Sequence, residues 1–481
     1  MATHLNVAII GAGTAGLTSR RAAEKAGAQS VCMFDSGPLG TTCARVGCMP
    51  SKLLIAAAES AHHAKHGSIF GVDVPEVKVD GKRVMSRVQS ERNRFTGFVK
   101  KSISNSEKNG EFIPGHVHIT GKNTMTSTVD GVLSEFTFDS LILATGTTPF
   151  VPPPYKFEWE RVLTSDQIFE LETLPKSLLV VGTGVIALEL GQAMSRLGVQ
   201  TDIIGIDDNV AFLRDPKVAE VARQVLSEEL DIHFSAKAES AEESEDGITV
   251  SITKSDGSNH EKTYEYVLVA AGRRSQLAGL GLENMGVELD RRGYLEVNPL
   301  TMQVGDLPLF IAGDANGLHP LLHEAADDGK AAGANAATFP DVKEFPRSTP
   351  MGVVFTEPQI GIVGPGFNTL DQCGAVIGSI DYSDQGRARV MNKNKGWVNV
   401  YAEVPSGKLL GAEMCGPAVE HTAHLLAWCV QQELTVSEIL KMPFYHPVIE
   451  EGIRTALRHA LANVENREMI NPDCDHFGPG I

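Results

Sequence analysis

The chain has 481 residues, 42% of them apolar and 21% charged, and a net charge of −18 from 42 Lys and Arg against 60 Asp and Glu. At roughly 100–200 residues per domain this is a chain of about three or four domains with ordinary globular composition, neither disordered nor fibrous. So acidic a surface excludes nucleic acid and anionic membrane as main partners, but not phosphate ligands, which backbone N–H groups bind locally.

The opening, MATHLNVAIIGAG, carries no basic leader and no long apolar run before a cleavage site. No apolar stretch reaches the roughly 18–20 residues that span a bilayer. A cytoplasmic location is the expectation. Seven cysteines, an odd number spread thinly, do not make a secreted disulfide framework. In a reducing compartment a close cysteine pair is catalytic or metal-binding.

In chain order, the first element is NVAIIGAGTAGLTSRRAAEKAG followed by SVCMFD. It reads as strand, Gly-rich turn, amphipathic helix and second strand, the opening βαβ of a doubly wound sheet. Gly11-x-Gly13-x-x-Gly16 sits at the turn: Gly11 for its tightness, Gly13 for close approach of a pyrophosphate, Gly16 for helix packing. Asp35, 19 residues after Gly16, ends the second strand, where a carboxylate accepts from a ribose hydroxyl.

GTTCARVGCMPSK comes next, with Cys43 and Cys48 spaced C-x4-C. Zinc sites more often use C-x2-C with a second pair, and none is apparent. Residues five apart in a straight helix have Cα atoms roughly 8–9 Å apart, whereas a disulfide prefers under about 7 Å. Bonding therefore requires a loop-to-helix junction with Cys43 on the loop side, and the geometry suits a strained, reducible bond. The alternative on spacing alone is two free buried cysteines.

Then SLILATG runs from strand to turn at Gly146. About 170 residues after the first motif the pattern repeats as SLLVVGTGVIALELGQAMSRLG and TDIIGI, with Gly182-x-Gly184-x-x-Ala187 at the turn. YVLVAAGRR turns near Gly272 and LPLFIAGDANG at Gly313-Asp314, each a buried strand feeding a Gly turn, as in parallel sheets. From about Pro350 the texture becomes α+β. VVFTEPQIGIVG, GWVNVYAEV and KLLGAEMCG alternate as antiparallel strands, and AVEHTAHLLAWCVQQEL and VIEEGIRTALRHALA read as helices. In FYHPVIEEG, His446 is suited to proton transfer near neutral pH, and Glu451, five residues on with Pro447 between, is able to turn back and fix its tautomer.

GTTCARVGCMPSK resembles the redox-disulfide motif of the pyridine nucleotide–disulfide oxidoreductases, and its Pro-Ser-Lys ending resembles the dihydrolipoamide dehydrogenase group of that family. Glutathione and mercuric reductases are sister groups. The resemblance covers nearly the whole chain. It implies FAD at the first dinucleotide site, with Cys43 as interchange thiol and Cys48 as charge-transfer thiol beside the flavin. Among FAD contacts it implies Thr42; Lys52 with Glu189 as an ion pair near flavin N5; His116 and Val117 in Gly115-His116-Val117 near adenine; Thr145 and Gly146 in the second FAD signature; and Gly313-Asp314 in the third. His323 resembles the His-containing segment of the dehydrogenase group. Arg45 departs from the family, which usually has Asn there.

The second site is implied to take NAD or NADP through Gly182, Gly184 and Ala187, with Gly272 on the nicotinamide side. NAD members of the family place Glu where Gly205 stands, and NADP members use Arg just after it. Gly205-Ile206-Asp207-Asp208 offers two carboxylates and no cation, so NAD is expected over NADP, with Asp207 as substitute ribose acceptor. His446 and Glu451 resemble the family's active-site base and its partner, which reach the disulfide of the other subunit, so an obligate homodimer is implied.

The expected fold class is α/β: two doubly wound dinucleotide-binding domains, FAD over 1–150 and 275–345 and NAD(P) over 151–274, plus an α+β C-terminal dimerisation domain over 346–481. The expected reaction is oxidation of dihydrolipoyl groups to lipoyl with NAD+, with lipoyl-bearing acyltransferase domains of 2-oxo acid dehydrogenase complexes as partners. An NAD(P)H-dependent reductase of another disulfide or of a metal ion is the alternative, and a redox-regulated binding flavoprotein a third reading. No resident metal is expected. Cys32, Cys373, Cys415, Cys429 and Cys474 read as packing or surface residues; a single Cys474 near the C-terminus gives poor support to metal-ion delivery.

Overall fold

In the computed structural model, residues 2–372 and 374–471 are described. Cys373 and Cys474 lie outside them.

The first sheet has seven strands. Thr3–Ile10 pairs in parallel with Val31–Phe34 on one side and with Val132–Leu143 on the other. The N-terminal part of that 12-residue strand also closes an antiparallel meander with Thr124–Val129 and His116–Gly121. Leu309–Ile311 joins the same sheet in parallel beside Leu141–Leu143, so the chain leaves this layer and comes back to it. Val7, Ile9, Leu141, Ile142 and Phe310 are fully buried, as in strands covered on both faces. Helix Leu322–Thr338 packs on helix Thr14–Lys25 at close range: a Cβ on Gly329 would stand 2.5 Å from the Ala15 carbonyl oxygen.

The second sheet is five parallel strands in the order Asp231–His233, Gln200–Ile204, Ser177–Val181, Tyr266–Val269, Val162–Leu163. A three-stranded antiparallel sheet, residues 237–264, lies against it. Thr147–Pro149 and Arg273–Ser275 pair as a two-stranded antiparallel link between the first two layers.

The third sheet is antiparallel and five-stranded, in the order Met351–Val354, Gln359–Val363, Leu409–Gly416, Trp397–Glu403, Ala375–Asp381. Helices Val419–Gln431 and Glu450–Asn466 pack on it. The fold is thus the expected α/β class, with two doubly wound sheets and an α+β end. Among the described residues no helix is long and apolar enough to cross a membrane.

Candidate active site

The first strand delivers Gly11 with φ of +111°, and any side chain there would fall on the Ala144 carbonyl oxygen, so the turn admits only glycine. Gly13 N-caps helix Thr14–Lys25 without a side-chain capping bond, and a Cβ on it would point into open space. The helix therefore presents bare N–H donors to an anion. Asp35 stands at the end of Val31–Phe34. Its Oδ2 accepts from the Ala12 N–H at 2.7 Å and its Oδ1 from the Gly37 N–H at 2.7 Å. The Gly115 N–H donates to the Asp35 carbonyl at 3.1 Å, which brings the segment carrying His116 and Val117 to this acid.

Asp314 follows Gly313 at the end of Leu309–Ile311. Burial pushes its carboxyl up, opposed by the Arg273 guanidinium and by the Thr147 hydroxyl, which donates to it at 3.3 Å. Arg273 in turn donates to Thr147 Oγ1 and to the Thr147 carbonyl, each at 2.8 Å. The Thr145 hydroxyl is buried without a protein partner among the described residues. Bare N–H groups for a pyrophosphate, carboxylates for ribose and ribityl hydroxyls, and an orphaned hydroxyl beside Gly146 make a donor and acceptor set that fits FAD. His323, half exposed, begins helix Leu322–Thr338 with Glu324 at 3.9 Å.

The cysteine pair refines the sequence expectation. Cys43 lies inside a one-turn helix, Thr42–Val46, rather than on a loop; the chain breaks at Gly47, and Cys48 is the first residue of helix Cys48–Lys65. The break supplies the change of direction that a straight helix lacks. The two cysteines are unbonded. Hydrogen bonding with Cys43 and the nearby Lys52 ammonium lower Cys48 to about 7 against its burial. The same bond and burial push Cys43 far above the usual thiol range. Cys48, at a helix N-terminus, therefore ionises near neutral pH while Cys43 stays protonated. Arg45 points toward Asp166, Nη2 to Oδ2 at 4.0 Å, and Asp166 also faces Arg273 at 3.9 Å.

Lys52 Nζ donates to both oxygens of Glu189, at 2.8 and 2.7 Å. Glu189 is 3% exposed on helix Val185–Arg196. Sequence reasoning missed a second partner of Glu189: the Phe355 N–H donates to its Oε1 at 2.9 Å, and Lys52 stands 4.5 Å over the Phe355 ring. The redox helix is tied to helix Val185–Arg196 again further along, where Lys65 Nζ donates to the Arg196 carbonyl at 3.0 Å.

At the second site Gly184 N-caps Val185–Arg196 with no side-chain cap, and Gly184 and Gly272 both face open space. Gly205 follows strand Gln200–Ile204. Asp207 Oδ1 accepts from the Asn209 N–H at 3.0 Å and Asp208 Oδ1 from the Ser235 hydroxyl at 2.6 Å. The expectation of no cation here is corrected: Arg223, on helix Pro216–Ser227, donates to the Asp208 carbonyl at 2.8 Å. Its 15-residue separation from Asp208 hides it from a motif reading.

His446 and Glu451 do meet: His446 Nδ1 lies 3.0 Å from both Glu451 oxygens, and this bond holds the Glu451 carboxyl below its ordinary range. The His446 side chain is 81% exposed, as a base serving something outside its own chain would be. Tyr445 and Trp428 are exposed as well.

Residues 5–329 match the family model described as pyridine nucleotide-disulphide oxidoreductase, and residues 350–457 match its dimerisation domain. The dihydrolipoyl dehydrogenase of Halobacterium salinarum is 30% identical over 472 residues, covering 96% of this chain and 98% of its own. That of Geobacillus stearothermophilus is 28% identical over 456 residues, covering 94% and 95%. Among solved structures, LpdA from Mycobacterium tuberculosis superposes with a TM-score of 0.80 at 26% identity, covering 95% of this chain and 99% of that one. With both family models matched over most of its length, the chain belongs to the pyridine nucleotide-disulphide oxidoreductase family, whose chemistry uses FAD and a pyridine nucleotide.

Proposed function

We propose that the protein oxidises dihydrolipoyl dithiols to the cyclic disulfide with NAD+ as final acceptor. The observation that carries the reading is the placement of Cys43 and Cys48 on either side of the helix break at Gly47, with Lys52 one turn further on and paired to Glu189. The names of the relatives support the substrate class.

The working unit is a homodimer built on residues 346–481, with FAD held by 1–150 and 275–345 and NAD by 151–274. FAD would be held by Gly11, Gly13, Gly16, Asp35, Thr42, Thr145, Gly146 and Gly313-Asp314, with His116 and Val117 at the adenine end. NAD would be held by Gly182, Gly184, Ala187 and Gly272, with Asp207 at the ribose. Two carboxylates there outnumber the one cation found beside them, Arg223, and so disfavour a 2′-phosphate.

In the oxidising direction the cysteine pair starts as the disulfide. A substrate thiol gives its proton to His446 of the partner subunit, held in one tautomer by its bond to the Glu451 carboxylate. The substrate thiolate attacks Cys43 Sγ, and Cys48 leaves as thiolate. The second substrate sulfur closes the product ring by displacing Cys43 and passes its own proton to the Cys43 thiolate, so the reduced pair ends as a Cys43 thiol and a Cys48 thiolate with the first proton on His446. Two electrons have passed from substrate to cysteines. When bound, FAD supplies the two-electron path from the reduced pair to NAD+.

The test is anaerobic turnover with dihydrolipoamide and NAD+, against NADPH with glutathione disulfide or Hg(II). Fast NAD+-dependent oxidation of dihydrolipoamide is expected. Turnover confined to NADPH with glutathione disulfide or Hg(II) would overturn the assignment.

A further inference from the structure

The chain contains two versions of the same turn, and one pair of the positions at which they differ is in direct steric contact. In both, the glycine that opens the turn donates its N–H to the last carbonyl of the neighbouring strand, Gly11 to Phe34 and Gly182 to Ile204, each at 2.7 Å. The register is therefore the same, and Asp35 corresponds to Gly205 as Ala12 corresponds to Thr183. At the first turn the residue between the glycines is small, and the strand-end acid folds over it to accept from its N–H at 2.7 Å. At the second turn a Cβ built on Gly205 would stand 2.5 Å from Thr183 Cγ2 and 2.9 Å from Thr183 Oγ1. The volume an acid would enter is filled.

Thr183 has little freedom to yield. It is 7% exposed, and its carbonyl accepts from the Ala211 N–H at 2.8 Å, which anchors its backbone to the following loop. Two of its three staggered substituent positions face Gly205 and two of the three are always filled by heavy atoms, so every rotamer leaves at least one of them against Gly205. Position 205 is buried as well, so the loop has no outward route by which to make room.

We infer that Thr183 is a specificity-determining residue of the second nucleotide site: its side chain excludes an acid from the strand end and so transfers recognition of the adenosine ribose to the exposed Asp207-Asp208 loop. The inference rests on reading this turn as the NAD site. Its packing half stands on the Thr183–Gly205 geometry alone. A ribose read from a surface loop is held with fewer buried hydrogen bonds than one read from a strand end, so discrimination between NADH and NADPH should be shallower than a strand-end acid would give.

The experiment uses the full-length flavin-loaded dimer with Gly205→Ala, Gly205→Glu, Thr183→Ala and Thr183→Ala/Gly205→Glu. Melting temperature and direct titration of NADH and NADPH are the readouts. G205A and G205E should each lower the melting temperature, and G205E should weaken NADH binding by about tenfold. In the double variant the melting temperature should return to that of T183A, and NADH should bind more tightly than to T183A while NADPH binds more weakly. G205A is the fallback should G205E not fold, because a methyl group is enough to meet Thr183. Losses in G205E that are merely additive with T183A would overturn the inference. A coupled melting temperature in a protein that binds NADPH more tightly than NADH would support the Thr183–Gly205 packing and overturn the NAD reading instead.

Discussion

Lys52 and Glu189 face each other across 2.7 Å from two different helices, one opened by Cys48 and the other by the second nucleotide turn. Replacing Lys52 with Met removes a cation that lowers Cys48 and leaves a buried carboxylate without its counter-charge. Lys52 is partly exposed, so the stability cost is about 1–3 kcal/mol rather than that of a fully buried pair. The midpoint for Cys48 ionisation should rise and turnover should fall by about tenfold or more. Denaturant unfolding and pH-dependent alkylation of the reduced enzyme check both, and an unmoved Cys48 midpoint would contradict the electrostatic role.

The sulfur pair makes a pH prediction. With Cys48 at about 7, its thiolate is largely lost below that pH and complete above it, so alkylation of the two-electron-reduced enzyme should rise through a midpoint near 7 at this residue alone. Cys43, held as the thiol, should stay slow across the same range. C43A removes the donor and should move the Cys48 midpoint toward that of an ordinary thiol, whereas C43S keeps a hydroxyl donor and should move it less. Mass-resolved alkylation separates the two sites.

His446→Gln should cut turnover with dithiols by about 10²–10⁴-fold while leaving the flavin bound. Glu451→Gln keeps the hydrogen-bonding shape but removes the charge next to the imidazole, so a smaller loss, with a shifted pH profile, is expected. An H446Q enzyme with wild-type turnover would remove the residue from the reaction.

Gly11→Ala puts a methyl group onto the Ala144 carbonyl in a backbone region that disfavours L residues. The clash is with main chain, so relaxation is limited and a local cost of about 1–3 kcal/mol follows. The expected outcome is purified protein with much reduced flavin per chain, read from visible absorbance after denaturation. Full flavin content in G11A would show that the turn yields more easily than its geometry indicates.

The local parts of the fold were legible in the residues. Strand, Gly turn and helix at Gly11 and Gly182 are short-range patterns, and the Cys43–Cys48 spacing forced a break that appears at Gly47. Partners far along the chain left no such trace. Phe355 reaches Glu189 through its backbone N–H, which no side-chain motif encodes. Arg273 and Asp166 meet near Arg45 only because the Thr147–Pro149 and Arg273–Ser275 strands pair. Gly205 was visible as a departure, but its cause, the Thr183 side chain, lies across two strands.

The Phe355 N–H belongs to a strand end of the C-terminal sheet, yet it serves a carboxylate on the nucleotide helix that neutralises the lysine nearest the sulfur chemistry. The C-terminal sheet thus helps to hold the carboxylate that pairs with this lysine. A chimera that exchanged only residues beyond 345 would keep this grip on Glu189 only if its new sheet ended in the same register, whatever non-proline side chain stood at position 355.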